Sequence, residues 1–283
     1  MTVVTKHKKQ YNTNSPGAKA LIDEIVHGAF LKEGTMVAFP TCFPGVTVPI
    51  TADESRITAL GVTDDGIVYG GTSGRLTHLF VGMFHGVTGV VFDMGTVADA
   101  DHCAAICCGD AKFAACVNGP GGGRIVTRSL VPLPFDLIQE WEFKRQPFED
   151  MGEVVKGEQI IHAVVADSKM HMIGVTENHL FVMDMVSGKM RIVAEVRGAG
   201  QLGIGPNGHI FGLDEGGYLW RYDSVSSELK RKAIPLPEGI WDKTPLVWAR
   251  DIRSGVLYTA DGKGTFSHSM NRKDSLRLWV GRC

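Results

Sequence analysis

The chain has 283 residues, enough to bury the core of one large all-β or α/β domain or of two smaller ones. Its 29 Lys and Arg residues nearly balance 31 Asp and Glu residues, and the net charge of −2 lacks the basic excess typical of proteins that bind nucleic acid or anionic membranes. The 35 glycines are spread along the chain, which indicates many tight turns and therefore many short strands.

The chain begins without the basic-then-apolar layout of a signal peptide, and no apolar run approaches the roughly 20 residues that span a bilayer. We therefore expect a soluble, cytoplasmic protein that binds neither nucleic acid nor membrane. Four of the six cysteines lie in the apolar runs "CAAICC" and "FAACV". Free cysteine is a small hydrophobic residue often found in cores, so these four are predicted to be reduced and buried, with a metal–thiolate site as the lesser alternative.

Residues 1–35 are predicted to form a tail and one helix, within "SPGAKALIDEIVHGAFLKEG". Ser15 can cap this helix, Pro16 suits its first position, and apolar residues recur at helical spacing up to Gly34. From residue 36 to residue 283 the pattern changes to short apolar runs separated by Gly, Asp, Asn and Ser. This change predicts that the main domain occupies residues 36–283.

Within the main domain, one unit recurs: a polar turn, an apolar strand, a second turn and another strand. Clear copies occur at 64–80, 167–184, 206–223 and 253–269, and a weaker copy occurs at 109–128. A further strand precedes each copy and a fourth follows it; after the weaker copy the fourth is assigned to "LIQEWEF". Such a repeat is the signature of β-propeller blades. We therefore predict an all-β fold, a β-propeller of about five four-stranded blades, with a sixth blade or a two-sheet sandwich as alternatives.

In a propeller, the loops that lead into the inner strands and the loops between second and third strands gather on one face, here called the mouth face. Counting back from equivalent second-strand residues, Gly174 and Ala114, gives His162 and His102 equivalent inner-strand positions. The same count from Gly212 gives Gly200, and Gln201 is its neighbour. Imidazole nitrogens and amide oxygens suit Mn, Fe or Zn. His102, His162 and Gln201 are therefore predicted to bind a divalent metal ion. The alternative is that the histidines face water or bond the backbone.

The mouth-face loops supply the other candidates for chemistry. Arg75 and Arg124 are predicted to bind an anionic substrate, because guanidinium groups bind carboxylate or sulfate in a planar fork. Asp214 and Asp261 are a candidate acid and base, and His179, in "TENH", is a candidate base or further metal ligand. Solvated arginine ends and ordinary turn aspartates are the alternatives.

Two tryptophans and one histidine complete the set. Trp248, on an inner strand, is a candidate to stack on a sugar ring, with core packing as the alternative. Trp220 is predicted to pack between blades. His209 is predicted to lie at the end of its strand that is far from the mouth face.

The repeats resemble those of single-chain bacterial propellers, such as the streptogramin lyase and oligogalacturonate lyase groups, through generic blade motifs over most of the chain. Oligogalacturonate lyases use a His-and-Gln metal set at the centre of the propeller, and the resemblance implies that His102, His162 and Gln201 are part of such a set. His78, His85 and His179 are the candidates to complete it.

These observations predict a metal-assisted lyase or hydrolase that acts on an anionic saccharide or related small molecule at the channel mouth. The alternative is a non-catalytic propeller that binds a peptide or partner protein, or works as a subunit of a larger assembly, since propellers host both kinds of function. Oligomerisation is left open by the sequence.

Overall fold

The structure is a computed structural model that describes residues 50–85, 88–131, 146–166, 168–196, 200–205, 208–214, 216–236, 247–250, 257–260, 265–270 and 277–282. These residues form twenty strands in five antiparallel sheets of four strands each. The sheets follow one another along the chain as the blades of a β-propeller, so the predicted fold is confirmed. The helix predicted within residues 15–34 lies outside the described residues.

The blades are numbered along the chain. Blade 1 comprises β1 (Arg56–Val62), β2 (Val68–Ser73), β3 (Thr77–His85) and β4 (Thr88–Val97). Blade 2 comprises β5 (His102–Cys108), β6 (Lys112–Gly119), β7 (Gly122–Ser129) and β8 (Glu149–Glu153). Blade 3 comprises β9 (Ile160–Val165), β10 (His171–Thr176), β11 (His179–Asp184) and β12 (Met190–Glu195).

The last two blades follow the same order. Blade 4 comprises β13 (Gly203–Ile204), β14 (His209–Asp214), β15 (Tyr218–Asp223) and β16 (Glu228–Pro235). Blade 5 comprises β17 (Val247–Arg250), β18 (Leu257–Ala260), β19 (Thr265–Met270) and β20 (Arg277–Arg282). The first strand of each blade is its innermost strand: β1 lies against β5, β5 against β9, and β13 against β17.

The fourth strand of blade 2 is not the run that the sequence analysis assigned to it. That strand is β8, with the sequence "EDMGE", which pairs with β7; the run "LIQEWEF" at 137–143 lies outside the described residues. Four of the five β8 residues are exposed, as suits a strand at the outer rim of the ring. Apolar periodicity does not identify a strand that is solvated on its outer side, and the nearby apolar run was assigned instead.

Helical structure is scarce among the described residues; the 3-10 turn Ala52–Glu54 leads into β1. No helix in this part of the chain has the length and apolar character that crossing a bilayer requires.

A glycine on the second strand lies opposite an aromatic residue on the third strand in three blades. The pairs are Gly70 with Phe80, Gly174 with Phe181, and Gly212 with Trp220. A Cβ atom added at these glycines would lie 2.0–2.2 Å from the ring, so the aromatic side chain occupies the space that glycine leaves. This repeated pair is the physical basis of the sequence repeat.

The inner strands of blades 1 to 3 each carry a β-bulge near their start. The bulged residues are Thr58 in β1, Ala104 in β5 and Ile161 in β9. Because a bulge adds a residue that has no partner, positions before and after it differ in the direction of their side chains. The bulges therefore give a common reference for comparing positions between blades.

Apolar layers between neighbouring blades form the core. Trp220 and Tyr222 of blade 4 are both 1% exposed and pack with Ile173 and Leu180 of blade 3. The predicted role of Trp220 between blades is confirmed. Burial of large apolar side chains at each junction is the main force that holds a propeller together.

The four cysteines of blade 2 are free, as predicted, and three of them are buried. Burial raises the pKa of the Cys103 thiol to about 12 and also raises the pKa values of Cys107 and Cys116. Cys108 is half-buried, and burial raises its pKa to about 12 as well. These thiols serve as small hydrophobic groups in the core.

Side chains at the end of the second strand bond the inner strand of the next blade. Ser73 Oγ accepts the backbone N–H of Cys103 at 3.1 Å. At the equivalent place, the Asn118 side chain bonds both backbone groups of Ile160 at 2.8 Å each. Junctions between blades 1 and 2 and between blades 2 and 3 are thus fixed by hydrogen bonds as well as by apolar contact.

The face opposite the mouth, here called the far face, carries two equivalent turns. Asp184 and Asp223 each accept two backbone N–H groups in "DMVS" and "DSVS", which holds the turns in the same form. The valines of these turns, Val186 and Val225, are 73% and 92% exposed. His209 pairs with Asp223 at this end of blade 4, as predicted.

Candidate functional site

The inner strands of blades 1 to 4 surround a channel of about 480 Å³. Thr58, His162 and Gln201 line it together. Leu60 and Val62, on β1, also line the channel, and they are 58% and 61% exposed. Exposure of two large apolar side chains on an inner strand makes one wall of the channel apolar.

His162 has a fixed protonation state at this channel. Its Nδ1 atom accepts the backbone N–H of Leu202 at 3.1 Å, so the ring is neutral and the proton resides on Nε2. Burial lowers the pKa of His162 to about 4, which keeps the ring neutral at physiological pH. Within the described part of the chain Nε2 has no hydrogen-bond partner, so it is available as a donor to a molecule in the channel.

His102 belongs to a different set of contacts. Its Nδ1 atom lies 2.8 Å from Ser73 Oγ, which lies 2.7 Å from Thr58 Oγ1. Thr58 in turn donates to the carbonyl of Cys103 at 2.7 Å. Burial lowers the pKa of the His102 ring, although the residue as a whole is exposed. His102 thus takes part in the junction between blades 1 and 2 and is not among the described residues that line the channel.

The register corrects the equivalence that the sequence alignment gave to His102 and His162. His102 precedes the bulge of its strand by two residues, whereas His162 follows the bulge of its strand by one. Counted from the bulges, the two histidines are therefore three positions apart along their strands. Alignment by counting from the second-strand residues failed because the strands differ in loop length and carry bulges, which a fixed count ignores.

The proposed metal set does not fit this geometry. A metal ion on Nε2 of His162 would require a proton on Nδ1, where Leu202 already donates. Across the residues that the structure describes, no group of three or more His, Cys, Asp or Glu side chains is placed to hold a metal ion. The divalent ion remains a prediction without support from the described geometry.

Gln201 and Trp248 meet at the junction between blades 4 and 5. Trp248 Nε1 donates to the backbone carbonyl of Gln201 at 2.9 Å. The indole packs over Gly203, where an added Cβ would lie 2.8 Å from the ring. One face of the Trp248 ring is thus covered by the backbone at Gly203, which agrees with the alternative that Trp248 packs in the core rather than stacks on a sugar. The Gln201 side chain is exposed at the channel.

Arg75 lies in a cluster of charged groups above blade 1. Its guanidinium donates to Glu54 at 2.7 Å and lies 3.6 Å from Asp53. Glu54, 3% exposed, also accepts from His78 Nε2 at 2.8 Å, and His78 Nδ1 faces Asp93 at 3.1 Å. Hydrogen bonds from His78 and then Arg75 lower the pKa of Glu54. The positive charge of Arg75 is thus balanced by carboxylates of its own chain.

Blade 3 also pairs a histidine with a glutamate, here through Nδ1 of His179 rather than Nε2. His179 Nδ1 donates to Glu158 at 2.9 Å, and Thr176 donates to the same carboxylate at 2.5 Å. Although burial raises the pKa of Glu158, the hydrogen bonds from Thr176 and His179 lower it overall. The carboxylate orients the ring and leaves Nε2 as the atom that could accept a proton. His179 is not among the described residues that line the channel.

The two glutamates were missed by sequence reasoning. Glu54 and Glu158 each precede the inner strand of their blade by two residues. In both blades the backbone N–H of the histidine donates to a threonine hydroxyl at 3.0 Å, from Thr72 in one and Thr176 in the other. The signal is a repeated pairing of a glutamate before the first strand with Thr and His around the second turn. The Thr and His lie within the aligned copies, but the glutamates precede them.

Two further predicted residues, Arg124 and Asp214, are held by partners within the chain, and Asp261 lies outside the described residues. Arg124 donates to the carbonyl of Ala98 and lies 3.3 Å from Asp150. Asp214, 5% exposed, accepts the backbone N–H of Lys232 at 2.9 Å and lies 3.3 Å from Arg231. The structure thus brings His162 and Gln201 together at the channel and places the other described candidates elsewhere.

No protein-family model and no curated protein matches the sequence, so no sequence-level match supports the resemblance to the lyase groups. Solved structures do match. A protein from Bacteroides uniformis proposed to be a 6-phosphogluconolactonase gives a TM-score of 0.57 at 12% identity, covering 82% of this chain and 73% of that one.

Two further structures match at similar levels. A chain of a nidogen–laminin complex gives a TM-score of 0.54 at 11% identity and 84% coverage of each chain. YCF48 bound to a D1 peptide gives 0.51 at 10% identity, covering 81% of this chain and 69% of that one. These structural matches support the propeller fold. At such low sequence identity they show nothing about activity.

Proposed function

We propose that this protein is a ligand-binding propeller whose ligand enters the central channel and bonds His162. The observation that carries the proposal is the state of that histidine. Leu202 holds Nδ1 as an acceptor, so Nε2–H is left as a fixed donor in a channel of about 480 Å³. Pockets of this size that combine apolar walls with a few placed polar groups are typical ligand sites.

The alternative of a metal-assisted lyase or hydrolase has weaker support. An anionic substrate would need the cations Arg75 and Arg124, yet both are bound by carboxylates of the chain. The oriented His179–Glu158 pair is the observation that favours catalysis, since a carboxylate-bound imidazole is a good general base. Its separation from the residues that line the channel makes binding the better-supported function.

The ligand could be a free small molecule or a side chain of a partner protein. Among the structural neighbours, YCF48 binds a peptide, and a nidogen–laminin chain is part of a protein complex. A peptide would place one side chain in the channel and lie over the mouth face. Both occupants would make contact with the same wall, formed by Leu60 and Val62.

Blocking the channel tests the proposal. A diverse fragment library is screened by ligand-observed NMR against the full chain, against Leu60→Trp, which fills the channel, and against Val225→Trp, which alters an exposed far-face turn. Fragments that bind the unaltered protein should lose binding to Leu60→Trp and keep binding to Val225→Trp. If no bound fragment distinguishes the two variants while both remain folded, the channel is not the binding site.

A further inference from the structure

The channel is lined by groups that differ in what they can offer a ligand. On one side the Nε2–H of His162 donates, and Nδ1 of the same ring is already occupied by Leu202. On the other side Leu60 and Val62 present 58% and 61% of their surface. A ligand that satisfies both sides carries a hydrogen-bond acceptor at one end and an apolar body.

Charge at the channel sets a second condition. Among the described lining residues, the charged side chain is Lys169, and Asp64 forms an ion pair with it. His162 adds no charge, because its ring is neutral. A charged ligand would therefore lose its hydration against the apolar wall without gaining a free counter-charge, which is costly.

Resting on the proposed function, we infer that the ligand class is an uncharged molecule or side chain with a carbonyl-type acceptor and a compact apolar body. His162 donates to the carbonyl oxygen through Nε2, and Leu60 and Val62 cover the apolar body. Gln201, exposed at the channel, adds a second polar side chain to the lining. A carboxylate, including that of the anionic saccharide predicted from the sequence, is therefore expected to bind more weakly.

Three probes with the same hydrocarbon ring separate the possibilities. They are N,N-dimethylcyclohexanecarboxamide, which is an uncharged acceptor, cyclohexanecarboxylate, which is an anion, and cyclohexylmethylammonium, which is a cation. Binding to the full chain is measured by ligand-observed NMR titration. The amide should bind about tenfold more tightly than either charged probe, because each charged probe must give up its hydration.

Substitution of the histidine tests the donor. His162→Phe keeps a ring and removes Nε2–H, and it should weaken binding of the amide about 2- to 10-fold while leaving binding of the ammonium probe, which accepts no hydrogen bond, unchanged. This variant also leaves the N–H of Leu202 without an acceptor and could disturb the fold. A second measurement on the unaltered protein therefore tests the same hydrogen bond. In protein labelled with ¹⁵N-histidine, the Nε2 resonance of His162 should shift on addition of the amide and stay in place with the ammonium probe.

The two proposals fail in different ways. Tighter binding of the carboxylate or the ammonium, binding of none of the three probes, or an unmoved Nε2 resonance with bound amide overturns the ligand class. If fragments bind Leu60→Trp and Val225→Trp equally well, the channel is not the binding site.

Discussion

The side-chain amide of Asn118 makes two hydrogen bonds to the backbone of Ile160, accepting its N–H and donating to its carbonyl, each at 2.8 Å. These bonds join the second strand of blade 2 to the inner strand of blade 3. Both residues are buried, so water cannot replace the side chain without rearrangement.

Asn118→Ala should therefore lower the free energy of unfolding by about 1–3 kcal/mol, because two buried backbone groups lose their partners. The measurement is urea denaturation followed by fluorescence. Asn178→Ala is the matched control: this asparagine is exposed and bonds through its backbone, so its substitution should leave stability unchanged. Equal effects of the two substitutions would contradict the role assigned to the Asn118 amide.

Gly174→Ala tests the glycine–aromatic pair of blade 3. The added Cβ would lie 2.2 Å from the Phe181 ring, and overpacking of this kind costs about 1–3 kcal/mol. Thermal unfolding of Gly174→Ala should show this loss, and the double variant with Phe181→Leu should lose less than the two single substitutions added together. Gly121→Ala serves as the control, since a Cβ added at Gly121 would meet no atom within 4 Å.

Acid should weaken the cluster around Glu54. Hydrogen bonds from His78 and Arg75 lower the pKa of Glu54 below its ordinary 4.5. The unfolded chain therefore binds this proton more readily than the folded one, so the stabilisation is complete above pH 4.5 and is lost as pH falls through the lower, folded-state pKa. Glu54→Gln should reduce stability at neutral pH and flatten its decline below pH 4.5, measured by urea denaturation across pH. If Glu54→Gln leaves the decline of stability below pH 4.5 unchanged, other carboxylates cause that decline.

The blade 2 thiols should resist alkylation in the folded protein. Burial raises the pKa values of Cys103 and Cys108 to about 12, so little thiolate exists at pH 8. Iodoacetamide labelling at pH 8, read by peptide mass spectrometry, should modify Cys103, Cys107 and Cys116 after unfolding in urea and spare them before it. Rapid labelling of Cys103 in native protein would contradict its buried position.

The sequence predicted the blades well because their repeat has a local cause. A second-strand glycine opposite a third-strand aromatic, as in Gly174 and Phe181, recurs within a single hairpin in three blades. The outer strand β8 escaped prediction, because a solvated strand does not need the apolar alternation that identifies the others.

The candidate site was less predictable, because its chemistry depends on partners far away in the chain. Whether His162 is a ligand or a donor depends on the backbone of Leu202, in the next blade. Whether Arg75 is free depends on Glu54, which precedes the inner strand and lies outside the aligned copies of the repeat. His162, on β9, and Gln201, two residues before β13, both line the channel.

The aspartate turns of the far face are suited to the insertion of a reporter domain. Asp223 fixes its turn from within, while Val225 at the tip is 92% exposed, so a reporter domain inserted there would replace solvent rather than core. The insertion point lies on the opposite side of the ring from the mouth and in blade 4, the blade that supplies Leu202 and Gln201. A domain inserted at Val225 would therefore leave the residues that line the channel in place.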